Sequence, residues 1–136
     1  TAIVAAHNIS YAAQADVSRW NDLVTKSQKA FATEGPAFIN VLSLCHRGWR
    51  YPEKDAIKVS KLAVETGYWP LIEIENGKWR FTYKPKERKP ITEFLKTQGR
   101  FKHLFKEQNK HLLAEVQKDI DDQWARLEKL VQATSA

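Results

Sequence analysis

The chain has 136 residues, enough for one domain with a real core and too few for two. Apolar residues make up 43% and charged residues 28%, ordinary globular proportions that exclude a disordered or collagen-like chain. Net charge is +6, and the single cysteine excludes an internal disulfide and points to a reducing compartment, the cytoplasm.

The chain opens on Thr1 rather than Met. Ile3-Val4-Ala5-Ala6 reads as the end of a helix whose earlier part is missing, so the chain is expected to be a piece of a longer protein. Asn8 offers a left-handed stop. Residues 11–15 form a short buried strand. Asp16 or Ser18 then caps a helix to about Thr33, with Trp20, Leu23, Val24 and Phe31 as its core face and Gly35-Pro36 as its stop. Residues 37–44 follow as a nearly continuous apolar strand of the kind covered on both faces, which completes a βαβ unit.

Residues 45–52, Cys-His-Arg-Gly-Trp-Arg-Tyr-Pro, break the pattern just past that strand, at the sheet edge where ligands bind in parallel α/β folds. Pro52 and Glu53 open a helix to about Thr66, with Ala56, Val59, Leu62 and Ala63 inward and Gly67 as its stop. Asn76-Gly77 between the alternating segments 71–75 and 78–83 is a hairpin signature. A charged, proline-bounded linker over 84–90 leads to a short helix carrying Ile91, Phe94 and Leu95, which stops at Gly99; Phe101, Leu104 and Phe105 anchor a further turn or two. A long amphipathic helix runs from about Gln108 to Thr134. Its stripe of Leu113, Val116, Ile120, Trp124, Leu127 and Val131 is expected to lie on another subunit or on the missing part, with closure of the same domain as the rival arrangement. No apolar run reaches the ~18–20 residues of a membrane span, and no secretory leader is visible.

Charge is local. Residues 78–106 hold ten Lys and Arg against two acids, whereas residues 1–77 balance at eight each and residues 107–136 hold four against six. Such a segment attracts acidic proteins, phosphates, nucleic acid or anionic lipid, or is simply a solvated face. Lys78, Arg80 and the hairpin aromatics Trp79, Phe81 and Tyr83 offer a weak single-strand nucleic-acid pattern. Trp20, Trp69, Trp79 and Trp124 fit core positions better than ligand platforms.

No dinucleotide, Walker, nucleophile-elbow, zincin or paired-cysteine motif is present, and His7, His46, His103 and His111 lack metal-ligand spacing. Cys45 admits three roles: a small buried hydrophobe, a nucleophile activated by His46, Arg47 and Arg50, or one ligand of a metal centre completed elsewhere. Arg47, Arg50 and Trp49 suit a phosphate or carboxylate, or an acidic interface.

The segments 5–11 (Ala-Ala-His-Asn-Ile-Ser-Tyr), 35–45 (Gly-Pro-Ala-Phe-Ile-Asn-Val-Leu-Ser-Leu-Cys) and 48–52 (Gly-Trp-Arg-Tyr-Pro) resemble the pyruvate:ferredoxin oxidoreductase (pyruvate synthase) β-subunit family. The likeness continues through Leu62-Ala63-Val64-Glu65-Thr66-Gly67-Tyr68, Glu73-Ile74-Glu75-Asn76-Gly77 and Gln98-Gly99-Arg100-Phe101, to about Leu104. It is specific for the 2-oxoacid:ferredoxin oxidoreductase superfamily and less so for one oxoacid.

The resemblance implies the C-terminal part of a thiamine-diphosphate-binding α/β fold, residues 1–70, followed by an extension of hairpin, basic linker and helices, residues 71–136. It implies a multi-subunit enzyme using thiamine diphosphate, Mg2+ and [4Fe–4S] clusters with a 2-oxoacid, coenzyme A and ferredoxin. Cys45 is carried over as one ligand of the proximal cluster. The family's other cluster cysteines and its Gly-Asp-Gly…Asn segment for magnesium and diphosphate are absent from these residues, and His46-Arg47 stands where small or proline-containing sequence is expected. Alone, the chain is therefore expected to be inactive. Lys84, Lys86 and Arg88 become candidate contacts for acidic ferredoxin, with coenzyme A phosphates or a neighbouring subunit as rivals. A non-catalytic basic module binding an acidic protein or nucleic acid is the alternative reading, and a stand-alone cysteine enzyme lacks an oriented His–carboxylate partner.

Overall fold

A computed structural model describes residues 1–135. It is an α/β unit built on a four-stranded mixed sheet in the order β2-β1-β3-β4. The elements are α1 (Ala2–Ala5), β1 (Tyr11–Asp16), α2 (Trp20–Ala32), β2 (Ala37–Leu42), α3 (His46–Trp49), α4 (Ala56–Glu65), β3 (Leu71–Glu75), β4 (Lys78–Tyr83), α5 (Ile91–Leu95) and α6 (Lys110–Thr134), with 3-10 turns between several of them. β1 and β2 run parallel, Tyr11 opposite Ala37, with α2 as their crossover. β3 adds antiparallel to the other side of β1, and the hairpin partner β4 closes the order.

Local chemistry explains the boundaries. Asn8 sits at φ 57, as its short amide allows. Asp16, fully buried, accepts from the Ser18 backbone N–H at 2.8 Å and from the Ser60 hydroxyl at 2.6 Å, so it both starts the turn into α2 and ties β1 to α4. Asn76 and Gly77, at φ 49 and 77, make the two-residue turn with both central residues at positive φ that matches strand twist.

Two expectations about faces fail. Of the expected core face of α2, Trp20, Val24 and Phe31 are exposed, Phe31 at 91%. The side of α2 that meets the sheet is instead polar. Lys26 is completely buried, and its ammonium donates to the Gln14 carbonyl at 2.8 Å, the Thr82 hydroxyl at 2.7 Å and Asp22 at 2.6 Å. Beside it, buried Glu73 accepts from the Tyr11 hydroxyl at 2.9 Å and pairs with Lys29 at 2.7 Å and with Arg80. A helical period cannot distinguish a stripe covered by its own sheet from one awaiting another layer. β2 likewise is an edge strand, half exposed and ending at Leu42, rather than a strand covered on both faces.

The long helix follows the rival arrangement. Ile120, Trp124 and Leu127 of α6 are buried within the chain, and Trp124 stacks on Phe81 with ring centroids 4.9 Å apart. Leu127 packs with Ala12, Ile72 and Ile74 on the sheet face opposite α2. The other half of α6, through Leu112, Leu113, Val116 and Ile120, covers a second core of Val59, Leu62, Ala63, Ile91, Phe94 and Leu95. The stripe is too long for one sheet, so two halves of the helix serve two cores.

Burial pushes the Tyr11 phenol up to about 12, with the Arg80 charge acting the other way. The folded state thus keeps a proton that the unfolded chain releases near pH 10. Stability from this group is whole below pH 10 and is lost as pH climbs to about 12, a change of about 2–3 kcal/mol. Denaturant titrations between pH 9 and 12 should show Tyr11→Phe losing correspondingly less stability than the parent.

Candidate functional site

Past β2 the chain leaves the sheet, and Cys45 caps the one-turn helix α3. Its Sγ accepts from the Gly48 N–H at 3.4 Å, and its carbonyl accepts from the Trp49 N–H at 3.0 Å. The turn closes at Arg50, in the left-handed region at φ 57, and Tyr51 N–H returns to the His46 carbonyl at 3.3 Å. Tyr51 is buried, and its hydroxyl donates to the Leu44 carbonyl at 3.1 Å, pinning the two ends of the loop together. His46 meets the Tyr51 ring edge-on.

Cys45 is a free, exposed thiol. Exposure removes the buried-hydrophobe role. Among the described residues no histidine or carboxylate hydrogen bonds to Sγ, so a base-activated nucleophile is not assembled. No group of three or more His, Cys, Asp or Glu able to hold a metal occurs among the described residues either. What this loop offers is one sulfur, aimed outward, with an N–H donor and a helical N-terminus beside it.

Arg47 and Arg50 are exposed on the same loop, and Trp49 is half-buried beneath the Arg100 guanidinium, 3.7 Å from its ring centre. Four cations of the basic segment are held by acids of this chain. Lys84 pairs with Glu128 at 2.6 Å, Arg88 with Asp121 at 2.7 Å, Lys89 with Glu65 at 2.7 Å, and Arg80 with Glu73. Arg88 also lies over the Trp124 ring. Hydrogen bonding and charge from Glu65 hold the Lys89 ammonium above its ordinary value, and the Lys84 contact holds the Glu128 carboxyl below its own. Lys86 stays exposed, with no carboxylate partner among the described residues. The hairpin is not a base-stacking face, because Phe81 is stacked on Trp124. Sequence spacing hid three of these pairings, since Glu128 and Asp121 lie on α6 and Glu65 on α4, far along the chain.

The buried Lys26 and Glu73 network was not read from sequence. Asp22 and Lys26, four apart, look like a solvent-exposed helix pair until the sheet is placed over them.

No family model matches the chain. It is similar to pyruvate synthase subunit PorB of Methanocaldococcus jannaschii, 49% identical over 90% of the chain and 40% of that protein, and to its namesake in Thermotoga maritima, 46% identical over 97% and 41%. Ketoisovalerate oxidoreductase subunit VorB of Pyrococcus furiosus is 44% identical over 96% of the chain and 41% of that protein. Over nearly its whole length the chain is homologous to 2-oxoacid:ferredoxin oxidoreductase β subunits. It spans about two fifths of the length of these family members. A non-catalytic basic module finds no support in these similarities. No helix among the described residues is long and apolar enough to cross a membrane.

Proposed function

We propose that the chain contributes Cys45 as one thiolate ligand of an iron–sulfur cluster in a 2-oxoacid:ferredoxin oxidoreductase. The observation that carries this reading is the exposed Sγ at the end of the β2 loop, held by its own turn and engaged by no base or second ligand among the described residues. One thiolate cannot hold a cluster, so the remaining ligands come from parts of the complex outside this chain. A cluster there supplies one-electron transfer at low potential. The reaction in this reading is pyruvate, or another 2-oxoacid, plus coenzyme A and oxidised ferredoxin to the acyl-coenzyme A, CO2 and reduced ferredoxin, or its reverse.

Thiamine diphosphate and Mg2+ do not fit within this chain. The Gly-Asp-Gly…Asn segment is missing, and no carboxylate cluster stands in for it among the described residues. In this proposal residues 1–70 complete a thiamine-diphosphate domain whose cofactor contacts lie elsewhere, and residues 71–136 form the extension that buttresses it. Other parts of the complex cover the outward stripe of Trp20, Val24 and Phe31 and the free edge of β2. Acidic ferredoxin, or a coenzyme A phosphate, has Arg47, Arg50 and Lys86 to meet, because Lys84 and Arg88 already hold acids of α6. A thiolate kept free for iron suits the reducing cytoplasm.

The test is the anaerobic mass and composition of the native assembly containing this chain, with iron, acid-labile sulfide and thiamine quantified. A multi-subunit particle carrying all three is the expected result. A particle free of iron and thiamine overturns the proposal.

A further inference from the structure

Gln98-Gly99-Arg100-Phe101, which the cluster chemistry leaves without a task, lies against the Cys45 turn in the folded chain. The Gly99 N–H donates to the Arg50 carbonyl at 2.9 Å. A Cβ at position 99 would sit 2.8 Å from Arg50 Cβ and 3.0 Å from Arg50 O, closer than side-chain carbons approach, so only glycine allows this contact. Next to it, the Arg100 guanidinium lies 3.7 Å from the Trp49 ring centre and 4.6 Å from that of Phe101. It is aimed by a hydrogen bond from Nε to Gln98 Oε1 at 2.9 Å. Gln98 is itself buried and donates to the Phe94 carbonyl at 2.9 Å, while Trp49 and Phe94 meet edge-to-face with ring centroids 6.0 Å apart. The second core, through Phe94, Gln98 and Arg100, therefore reaches residues 49 and 50. Tyr51 anchors the same loop from its other end.

We propose that Gly99 and Arg100 are positioning residues that clamp Trp49 and Arg50 and thereby hold Cys45 Sγ where a cluster iron meets it. This rests on the reading of Cys45 as a ligand and adds what keeps that ligand in place. Two contacts of different kinds make the clamp, a backbone hydrogen bond with no room for a side chain and a guanidinium stacked on an indole. Neither touches Cys45, so their effect reaches it through the turn whose own bonds are the Gly48, Trp49 and Tyr51 N–H groups.

Those three amides provide the readout. In the 136-residue chain, hydrogen exchange at Gly48, Trp49 and Tyr51 should speed up about tenfold in Arg100→Ala, the loss expected for a half-buried cation–aromatic contact. Amides of β1 and β3 should keep their rates, which shows that the variant still folds. Arg100→Lys, which retains the charge without the flat stack, should recover part of the protection, and Gly99→Ala should reproduce the loss by a second route. Faster exchange confined to residues 98–101, or spread over the whole chain, overturns the proposal. In the iron-loaded complex the same variants should keep their iron yet shift the cluster's midpoint potential and electron paramagnetic resonance line shape. Unchanged potential and line shape overturn it as well. If Cys45→Ala leaves the iron in place, the ligand reading fails, and the exchange result then stands or falls by itself.

Discussion

Lys26→Ala should lower the unfolding free energy by about 3–5 kcal/mol, the usual cost of removing one partner from a buried charged network. That is a large share of the ~5–15 kcal/mol that holds a domain together. The reason is geometric. The ammonium is completely buried, and its three donors are taken by the Gln14 carbonyl, Thr82 Oγ1 and Asp22, joining β1, β4 and α2. Alanine would take a donor from a strand carbonyl, leave a largely covered carboxylate without its ammonium and open a void under the helix. Adding Asp22→Ala should recover part of the loss, since the stranded charge goes with it. Urea titrations of the two variants measure both changes. A loss below about 1 kcal/mol for Lys26→Ala would mean the ammonium escapes to water.

The same lysine has a pH signature. Burial lowers its affinity for a proton, with the Asp22 contact opposing. Between that lowered value and its ordinary one near 10.4, the unfolded chain binds the proton that the folded chain has lost, so stability from Lys26 rises with pH there. Its sign is opposite to that of Tyr11, whose contribution declines between pH 10 and about 12.

Cys45→Ser and Cys45→Ala should both strip one cluster's iron and sulfide from the anaerobic complex. The resulting fall in ferredoxin reduction should exceed the ~10–100-fold that changes outside a metal's ligand shell produce. Stability of the chain itself should shift by no more than about 0.5 kcal/mol, because Sγ is exposed and packs nothing. Serine at this position remains a capable helix cap for the Gly48 N–H, and alanine guards against an alkoxide standing in for the thiolate. Iron and sulfide retained in both variants would sink the ligand assignment. Iron lost together with a collapse in stability would mean the loop, rather than the ligand, had been removed.

Much of the local structure followed from sequence. Positions of β1, the hairpin, α4 and the long helix are set by short-range patterns: an Asn-Gly turn, a Pro-led start, a three-and-four stepping stripe. Cys45 stood out for the same reason, since its loop interrupts an apolar strand at the edge where sites gather. Faces and partners were another matter. Whether Trp20 and Phe31 point inward, whether β2 lies inside or at the edge, and which surface receives α6 depend on what packs above each element. A residue's period carries no such information.

Charge shows the division most clearly. Ten basic residues within 78–106 are a property of the sequence, but pairing by Glu128, Asp121, Glu65 and Glu73 is decided only when α6, α4 and β3 come alongside. Salt screens Coulomb attraction over about 8–10 Å, and those acids lie up to 44 positions away in the chain, as Glu128 does from Lys84. Asp22 and Lys26 make the converse case: a spacing typical of exposed helix pairs becomes the buried tie of three elements once the sheet excludes water. By itself the sequence determined the elements, the family resemblance and the candidate ligand. The tertiary structure alone decided which charges are free, which aromatic faces await a partner, and what clamps the cysteine loop. Those depend on distances between segments that only folding brings together.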